Sequence, residues 1–406
     1  MITFRNIFRY VLLCVILSLP LAVRGQDSLL PIPPQQPDTI DRLAPDFVTA
    51  YVVIADPGNV LYSILGHACL RLQCPAYQLD YVYSYESESV EGKVFRFLAN
   101  KLKMGLATIS PDDFFQTYRD EKRGMRQYKL NLPPEVKSEL WRICDERQAQ
   151  GMKLEYDYIK RGCGISTVYA IEDAIKAANR MYGKDYAILY PKWGPKFKRT
   201  LREIFYDNAP HGWPLFWCMT LVGGPVDNPS LPNKEKLIAP AEIVDIWSQS
   251  TIDGHPLLDP PQQILPAQVQ MAEPGFFTPL VVSIILLILA LLSLIPSSSP
   301  VVNSLTLAYS YLILAVQTLL GCLCLWLLLS PLPGSEWNWL ILAFNPLPLL
   351  LWKWRSKWAI PYAIFIVIWA IAMLLSPHRI VEYAHILLAL SFCLVLAKQS
   401  MSLFRQ

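Results

Sequence analysis

The distribution of charge along the chain limits its folding options more than any motif does. From Phe276 to Gln406 only eight side chains are charged: Glu336, Lys353, Arg355, Lys357, Arg379, Glu382, Lys398 and Arg405. So long a stretch with so little charge reads as membrane, and five apolar segments within it are candidate spans: 276–295, 305–329, 337–352, 358–375 and 380–397. The third is short and carries Pro346 and Pro348, which predicts a tilted, kinked or re-entrant segment.

Residues before Gly275 have ordinary soluble composition except at the start. There Arg5 and Arg9 precede an apolar run over 11–22, and Val23-Arg24-Gly25 offers a cleavage site. Residues 1–25 therefore read as a secretory signal, and the proline-rich, periodless 26–42 as a linker. The expected organisation is an exported domain over 43–275 followed by a transmembrane domain over 276–406. Charge supports that topology. With the domain outside, Lys353, Arg355, Lys357, Lys398 and Arg405 fall on the inner side and Arg379 alone on the outer, as the positive-inside rule requires. The protein is thus expected to be membrane-embedded, with its 43–275 domain exported and its C-terminus in the cytoplasm. The net charge of +3 comes from 36 basic and 33 acidic residues spread along the chain, so no nucleic-acid partner is expected.

The exported part alternates strand and helix signals. A β-branched, aromatic run over 47–54 ends at the turn Asp56-Pro57-Gly58-Asn59, and further strands are expected from His67, from Leu79 and over 125–132. Ser110-Pro111-Asp112-Asp113 caps a helix to about Lys122. A second helix runs from Pro133 to about Gln150, and a third from Gly164 to Tyr182, stopped by Gly183. This pattern predicts an α+β domain with a small antiparallel sheet.

The exported domain holds five cysteines, Cys69, Cys74, Cys144, Cys163 and Cys218. Five is odd, so an oxidising compartment leaves at least one thiol unpaired within the chain. Cys163 is the candidate nucleophile because it opens a helix, where backbone N–H groups and the dipole favour thiolate. A structural disulfide with Cys144 or Cys218 is the other reading. A thiol nucleophile needs a base, and the choices are His67, His211 and His255. The last two lie in Pro/Gly loops; His67 opens a strand and can be held rigidly. No His, Cys and carboxylate cluster has ligand spacing, so no metal or other cofactor is expected.

Several runs together resemble one family: Tyr62-Ser63-Ile64-Leu65-Gly66-His67-Ala68, Tyr83-Ser84-Tyr85, Tyr118-Arg119-Asp120-Glu121-Lys122-Arg123, Leu130-Asn131-Leu132, and Tyr156-Asp157-Tyr158 before Cys163. Gly224-Pro225-Val226-Asp227 and Asn345-Pro346-Leu347 continue the pattern. They resemble the Lnb family, whose members act as lipoprotein N-acyltransferases in Bacteroidetes. The resemblance implies a permuted papain-like domain, akin to NlpC and lecithin–retinol acyltransferase, followed by a helical bundle of about five transmembrane segments. It implies Cys163 as nucleophile and His67 as base. Two positions differ from the family pattern, Gly162 before the cysteine and Ser84 between the tyrosines. Ser84 is the expected orienting group for His67, with Asp80 as runner-up; Arg123, Glu121 and Tyr158 are the expected substrate-binding residues. The reaction implied moves an acyl chain from a phospholipid, through a Cys163 thioester, to the N-terminal amine of a diacylglyceryl-cysteine lipoprotein. The implied partners are the phospholipid donor, the lipoprotein acceptor and the membrane. NlpC-type domains also cleave cell-wall peptides, so a membrane-anchored cysteine peptidase or amidase is the alternative, and an idle assembly protein a third class.

Three further features are ambiguous in the sequence. Tyr118, Glu121 and Arg123 read either as a phosphate clamp or as neighbouring charges on a helix face. The aromatic segment 211–217 reads equally as an interfacial dip or as core. Glu382 and His385, one turn apart in the last segment, read as a functional pair or as partners of Arg379.

Overall fold

The computed structural model describes residues 41–58, 63–90, 92–151, 154–192, 198–267, 275–376 and 378–403. The signal segment and nearly all of the linker lie outside them. β1 (Thr49–Ala55), β2 (His67–Cys74), β3 (Leu79–Ser87) and β4 (Lys103–Ile109) form a meander, interrupted before β4 by a one-turn helix, α1 (Val94–Leu98). α2 (Pro111–Asp120), β5 (Met125–Lys129), α3 (Pro134–Ala149), β6 (Leu154–Glu155) and α4 (Cys163–Tyr182) follow. β7 (Ile188–Leu189), α5 (Leu201–Asn208), α6 (Trp213–Leu221), α7 (Pro240–Trp247), β8 (Thr251–Ile252), β9 (His255–Pro256) and β10 (Gln262–Leu265) complete the sheet domain. Seven strands make one antiparallel sheet in the order β10-β5-β1-β2-β3-β4-β6.

Local chemistry sets these limits. The Ser110 hydroxyl accepts from Asp113 N at 3.2 Å and Pro111 takes the first helical position. Gly183 ends α4 at φ 65°, the left-handed conformation glycine reaches without Cβ strain. One face of the sheet, with Ala68, Leu70 and Leu72, packs on Val168, Ile171 and Ala174 of α4 and on α3. The other face, with Val53, Cys69 and Val82, packs on Phe114 and Tyr118 of α2. β2 is therefore buried on both sides and is held rigidly, as a strand that presents a reactive group must be.

The helical region contains α8 (Pro279–Ser293), α9 (Pro300–Leu329), α10 (Leu340–Ala343), α11 (Leu347–Leu350), α12 (Arg355–Leu375) and α13 (Tyr383–Leu403). Among the described residues, Pro300–Leu329 and Arg355–Leu375 alone are long and apolar enough to cross a membrane; Pro279–Ser293, Leu340–Leu350 and Tyr383–Lys398 are shorter apolar helices. The third expected segment is broken between α10 and α11. There Asn345 Oδ1 accepts from Leu347 N at 3.2 Å and its Nδ2 donates to the Tyr362 hydroxyl at 2.6 Å. Asn345 thus satisfies backbone that Pro346 and Pro348 leave open, as membrane depth demands. Gly321 of α9 lets the break approach closely, since a Cβ there would lie 2.5 Å from the Asn345 carbonyl carbon.

The sheet domain is joined to the outer loops of the helical region by specific bonds. Gly223 N donates to Gly334 O at 2.5 Å, Gly224 N to Glu336 O at 2.7 Å, and Asn338 Nδ2 to Thr220 O at 2.8 Å. Phe216 of α6 stacks on His385 of α13 at 4.3 Å between ring centroids, and Thr220 Oγ1 pairs with His385 Nε2 at 2.9 Å. Leu215 and Phe216 are core, as the packing reading of 211–217 expects, while Trp213 and Trp217 are exposed. Glu382 pairs with Arg379 at 3.1 Å, whereas His385 turns away from both and is fully buried.

Candidate active site

A tight turn sets His67 in place. Gly66 N bonds Ser63 O at 2.9 Å, and Gly66 has φ 88° with space for no side chain: a Cβ would lie 2.5 Å from Ala55 O. His67 then opens β2 opposite Ala55. Antiparallel pairing of Leu70 with Tyr83 brings Ser84 diagonally across from His67, and His67 Nε2 lies 2.7 Å from Ser84 Oγ. Asp80 is at the far end of β3, bound to Arg71 at 2.6 Å and Gln73 at 2.8 Å. It does not orient His67, because its distance along the strand puts it beyond reach.

Cys163 is the first residue of α4, with Gly162 as its N-cap. The helix start lies close against the segment before α7, since a Cβ on Gly164 would fall 2.8 Å from Ile238 O. Burial pushes the Cys163 thiol above its ordinary value, opposed by hydrogen bonds from the backbone of Ala68, Gly164 and Cys163 itself and by the charge of Arg123. Burial lowers the His67 pKa to about 4, with Arg123 adding to the effect and Glu86 and Glu121 opposing it. Both groups are therefore neutral at neutral pH. Cys69, Cys74, Cys144 and Cys218 are buried free thiols, and burial pushes Cys144 and Cys218 up to about 12. That is the environment of inert cysteines, and Cys163 is the only one of the five that is partly exposed.

Two clefts meet at Cys163. One, of about 770 Å³ including space open to solvent, is the more polar of the two and is lined among others by His67, Glu86, Tyr118, Glu121, Arg123 and Cys163. The other, of about 850 Å³, is apolar and is lined among others by Ile64, Tyr158, Phe205, Leu221, Ile238 and Leu332. Gly66, Ser87, Tyr156 and Cys163 belong to both. The three substrate-binding residues expected from sequence separate accordingly: Arg123 and Glu121 line the polar cleft, Tyr158 the apolar one.

Arg123 does not ride on α2, which ends at Asp120; it lies beyond a left-handed Lys122 (φ 57°). Its Nε donates to Asp56 O at 2.8 Å and its Nη1 to Glu121 Oε2 at 2.7 Å, while the guanidinium covers the Tyr118 ring at 4.8 Å. Its Nη2 is buried with no partner, on a side chain only 9% exposed. Tyr118 in turn lies over His67, with centroids 6.3 Å apart and planes 27° apart. The Tyr158 hydroxyl is likewise buried and unpartnered. Asp157 builds the loop before Cys163 by accepting from Ile159 N at 3.0 Å and Lys160 N at 2.9 Å. Glu86 escaped the sequence reading, although the two-residue period of β3 puts it on the face of Ser84. Among the described residues no group of three or more His, Cys, Asp or Glu side chains could hold a metal ion.

The molecule is thus a membrane protein in which a sheet domain, whose cysteine and histidine line one cleft with a buried serine bonded to the histidine, is joined to an apolar helical region. Residues 35–191 match the family model described as the Lnb N-terminal periplasmic domain, and residues 271–406 that described as the Lnb transmembrane domain. The chain belongs to the Lnb family, with a periplasmic N-terminal domain and a C-terminal transmembrane domain. No curated protein and no solved structure matches it.

Proposed function

We propose that this protein is a cysteine-dependent N-acyltransferase that moves an acyl chain from a phospholipid to the N-terminal amine of diacylglyceryl-cysteine lipoproteins at the outer face of the inner membrane. The observation that carries this reading is the position of Cys163 where an apolar and a polar cleft meet. An acyl ester has the same division, and a wall peptide offers nothing to fill an apolar cleft that reaches Leu332 at the membrane side. The domain is read as a permuted papain-like fold, with the histidine strand before the cysteine helix. The helical region is read as five membrane-crossing segments with a cytoplasmic C-terminus, the shorter helices crossing with help from the break at Asn345 and from flanking loops.

In the first half-reaction His67 Nδ1 takes the thiol proton as Cys163 sulfur bonds the ester carbonyl carbon. Nε2–H donates to Ser84, which fixes the tautomer. The backbone N–H groups of Ala68 and Gly164 stabilise the developing oxyanion. The carbon–oxygen ester bond breaks, His67 returns its proton to the leaving oxygen, and a lysophospholipid departs. Arg123 Nη2 binds the donor's phosphate. In the second half-reaction the lipoprotein amine attacks the thioester, the carbon–sulfur bond breaks, and His67 carries the amine's proton back to the thiolate.

The test is intact-mass analysis of lipoproteins and of the enzyme. Cys163→Ala and His67→Ala should each lower N-acylation at least about 10³-fold while the protein remains folded and membrane-bound. Wild-type enzyme given donor lipid without acceptor should gain one acyl mass on Cys163. Full N-acylation by Cys163→Ala would overturn the proposal, and altered wall muropeptides with normal lipoproteins would favour the peptidase reading.

A further inference from the structure

Helix α1 has an unusual surface. Its sequence is Val94-Phe95-Arg96-Phe97-Leu98, and Phe95, 82% exposed, projects with Val94 away from the domain. The other side of the same turn is engaged. Leu98 packs on Leu327 and Leu332, and Phe97 lines the apolar cleft together with Val90. The Leu98 carbonyl accepts from Trp326 Nε1 at 3.1 Å and from the Ser330 hydroxyl, both at the end of α9. α9 is long and apolar enough to cross a membrane, and α1 is bonded to its C-terminal end. Other aromatic residues lie at comparable helix ends. Phe276 and Phe277 are exposed just before α8, the carbonyl of Phe277 accepts from Trp213 Nε1 at 2.9 Å, and Trp337 is exposed in the loop after α9. Aromatic side chains with a polar handle collect at membrane–water interfaces.

We propose that α1 is a membrane-inserted lip. Val94 and Phe95 enter the outer leaflet beside the end of α9, and phospholipid acyl chains pass between them and Leu332 into the apolar cleft beneath Cys163. The occupant of this surface is the bilayer, because the carbonyl that ends α1 is bonded by the end of α9 and the opposite side of the same turn, at Phe97, lines the apolar cleft. Lys93 and Lys101 flank the apolar pair and suit a phosphate-rich interface, while Arg96 pairs with Glu88 at 3.1 Å. The nature of the cleft's contents rests on the acyl-transfer reading; the contact between lip and lipid does not.

The test uses full-length protein in vesicles of phosphatidylethanolamine and phosphatidylglycerol, with p-benzoylphenylalanine placed at Phe95 or, as control, at the exposed Met181. Met181 sits at the far end of the 20-residue α4, roughly 30 Å along that helix from Cys163. Illumination should give a phospholipid adduct at position 95 and none at 181. No lipid adduct at 95, or an equal one at both positions, would overturn the lip. Independently, Phe95→Asp should slow acylation of Cys163 from vesicle lipid about tenfold yet leave acylation from a dispersed short-chain phospholipid unchanged. An equal rate from vesicles would also overturn it. If the unmodified protein acylates Cys163 from neither donor, the acyl-transfer reading fails and the adduct at 95 alone decides the lip.

Discussion

Ser84 contacts the imidazole through one hydroxyl, at 2.7 Å from Nε2, which in the proposed mechanism makes it a positioning residue. Ser84→Ala should lower kcat about tenfold with little change in KM, and Ser84→Thr should restore much of the loss, as steady-state assays with vesicle donor would read. The protonation states make a second prediction. A thiol raised by burial beside an imidazole lowered to about 4 rests as a neutral pair. The thiolate fraction therefore grows only as pH rises. Alkylation of Cys163 by iodoacetamide should still be climbing above the ordinary thiol range, with no plateau between about pH 5 and 7, where a preformed thiolate–imidazolium pair would react. Much of this site could be read in sequence. His67, Cys163 and Ser84 stand in short runs whose spacing carries meaning. Glu86 needed only the same strand alternation taken one step further. Arg123 was harder, because its burial comes from Asp56, far away in sequence, and from a left-handed turn at Lys122 that ends the helix early.

At the scale of elements, the start of α4 is where local sequence and tertiary packing converge. Gly164 lies under Ile238 O with no room for a methyl group. Gly164→Ala should shift the N-terminus of α4, destabilise the domain by about 1–3 kcal/mol in thermal or denaturant unfolding, and slow Cys163 acylation more than that loss implies. Elements with strong punctuation were legible: Ser110-Pro111 opens α2, and Gly183 closes α4. α1 and β4 were not. A five-residue helix has no measurable period, and its apolar residues make sense only once α9, more than 200 residues later in sequence, is beside it. The third membrane segment was legible as irregular from its prolines, while the pairing of Asn345 with Tyr362 depended on tertiary contact.

For the whole molecule, the split between a polar and an apolar part was plain from charge counting, but the junction was not. The strand-like bonding of Gly223 and Gly224 to Gly334 and Glu336 links segments more than a hundred residues apart. Gly223 is packed so that a Cβ would lie 2.1 Å from Glu336 O, and Arg202, paired with Asp227 at 2.6 Å, holds the same loop through the Val222 carbonyl at 3.3 Å. Gly223→Ala should therefore loosen the two parts from each other. Limited proteolysis should cut first within 222–228 or 330–338, and vesicle-donor activity should fall about tenfold while Cys163 keeps its alkylation rate.

The two clefts that share Cys163 also bear on how such an enzyme avoids wasting its intermediate. On the acyl-transfer reading proposed above, a thioester on Cys163 would leave its acyl tail in the apolar side, and the departing head would vacate only the polar side. The tail then acts as a stopper against bulk water from beneath. The carbonyl carbon is left open toward the polar cleft, where the next visitor must bring its own amine past Glu86, Glu121 and Arg123. Commitment to transfer rather than hydrolysis would then be a property of the loaded substrate as much as of the protein, and short acyl chains should leak to water where long ones do not.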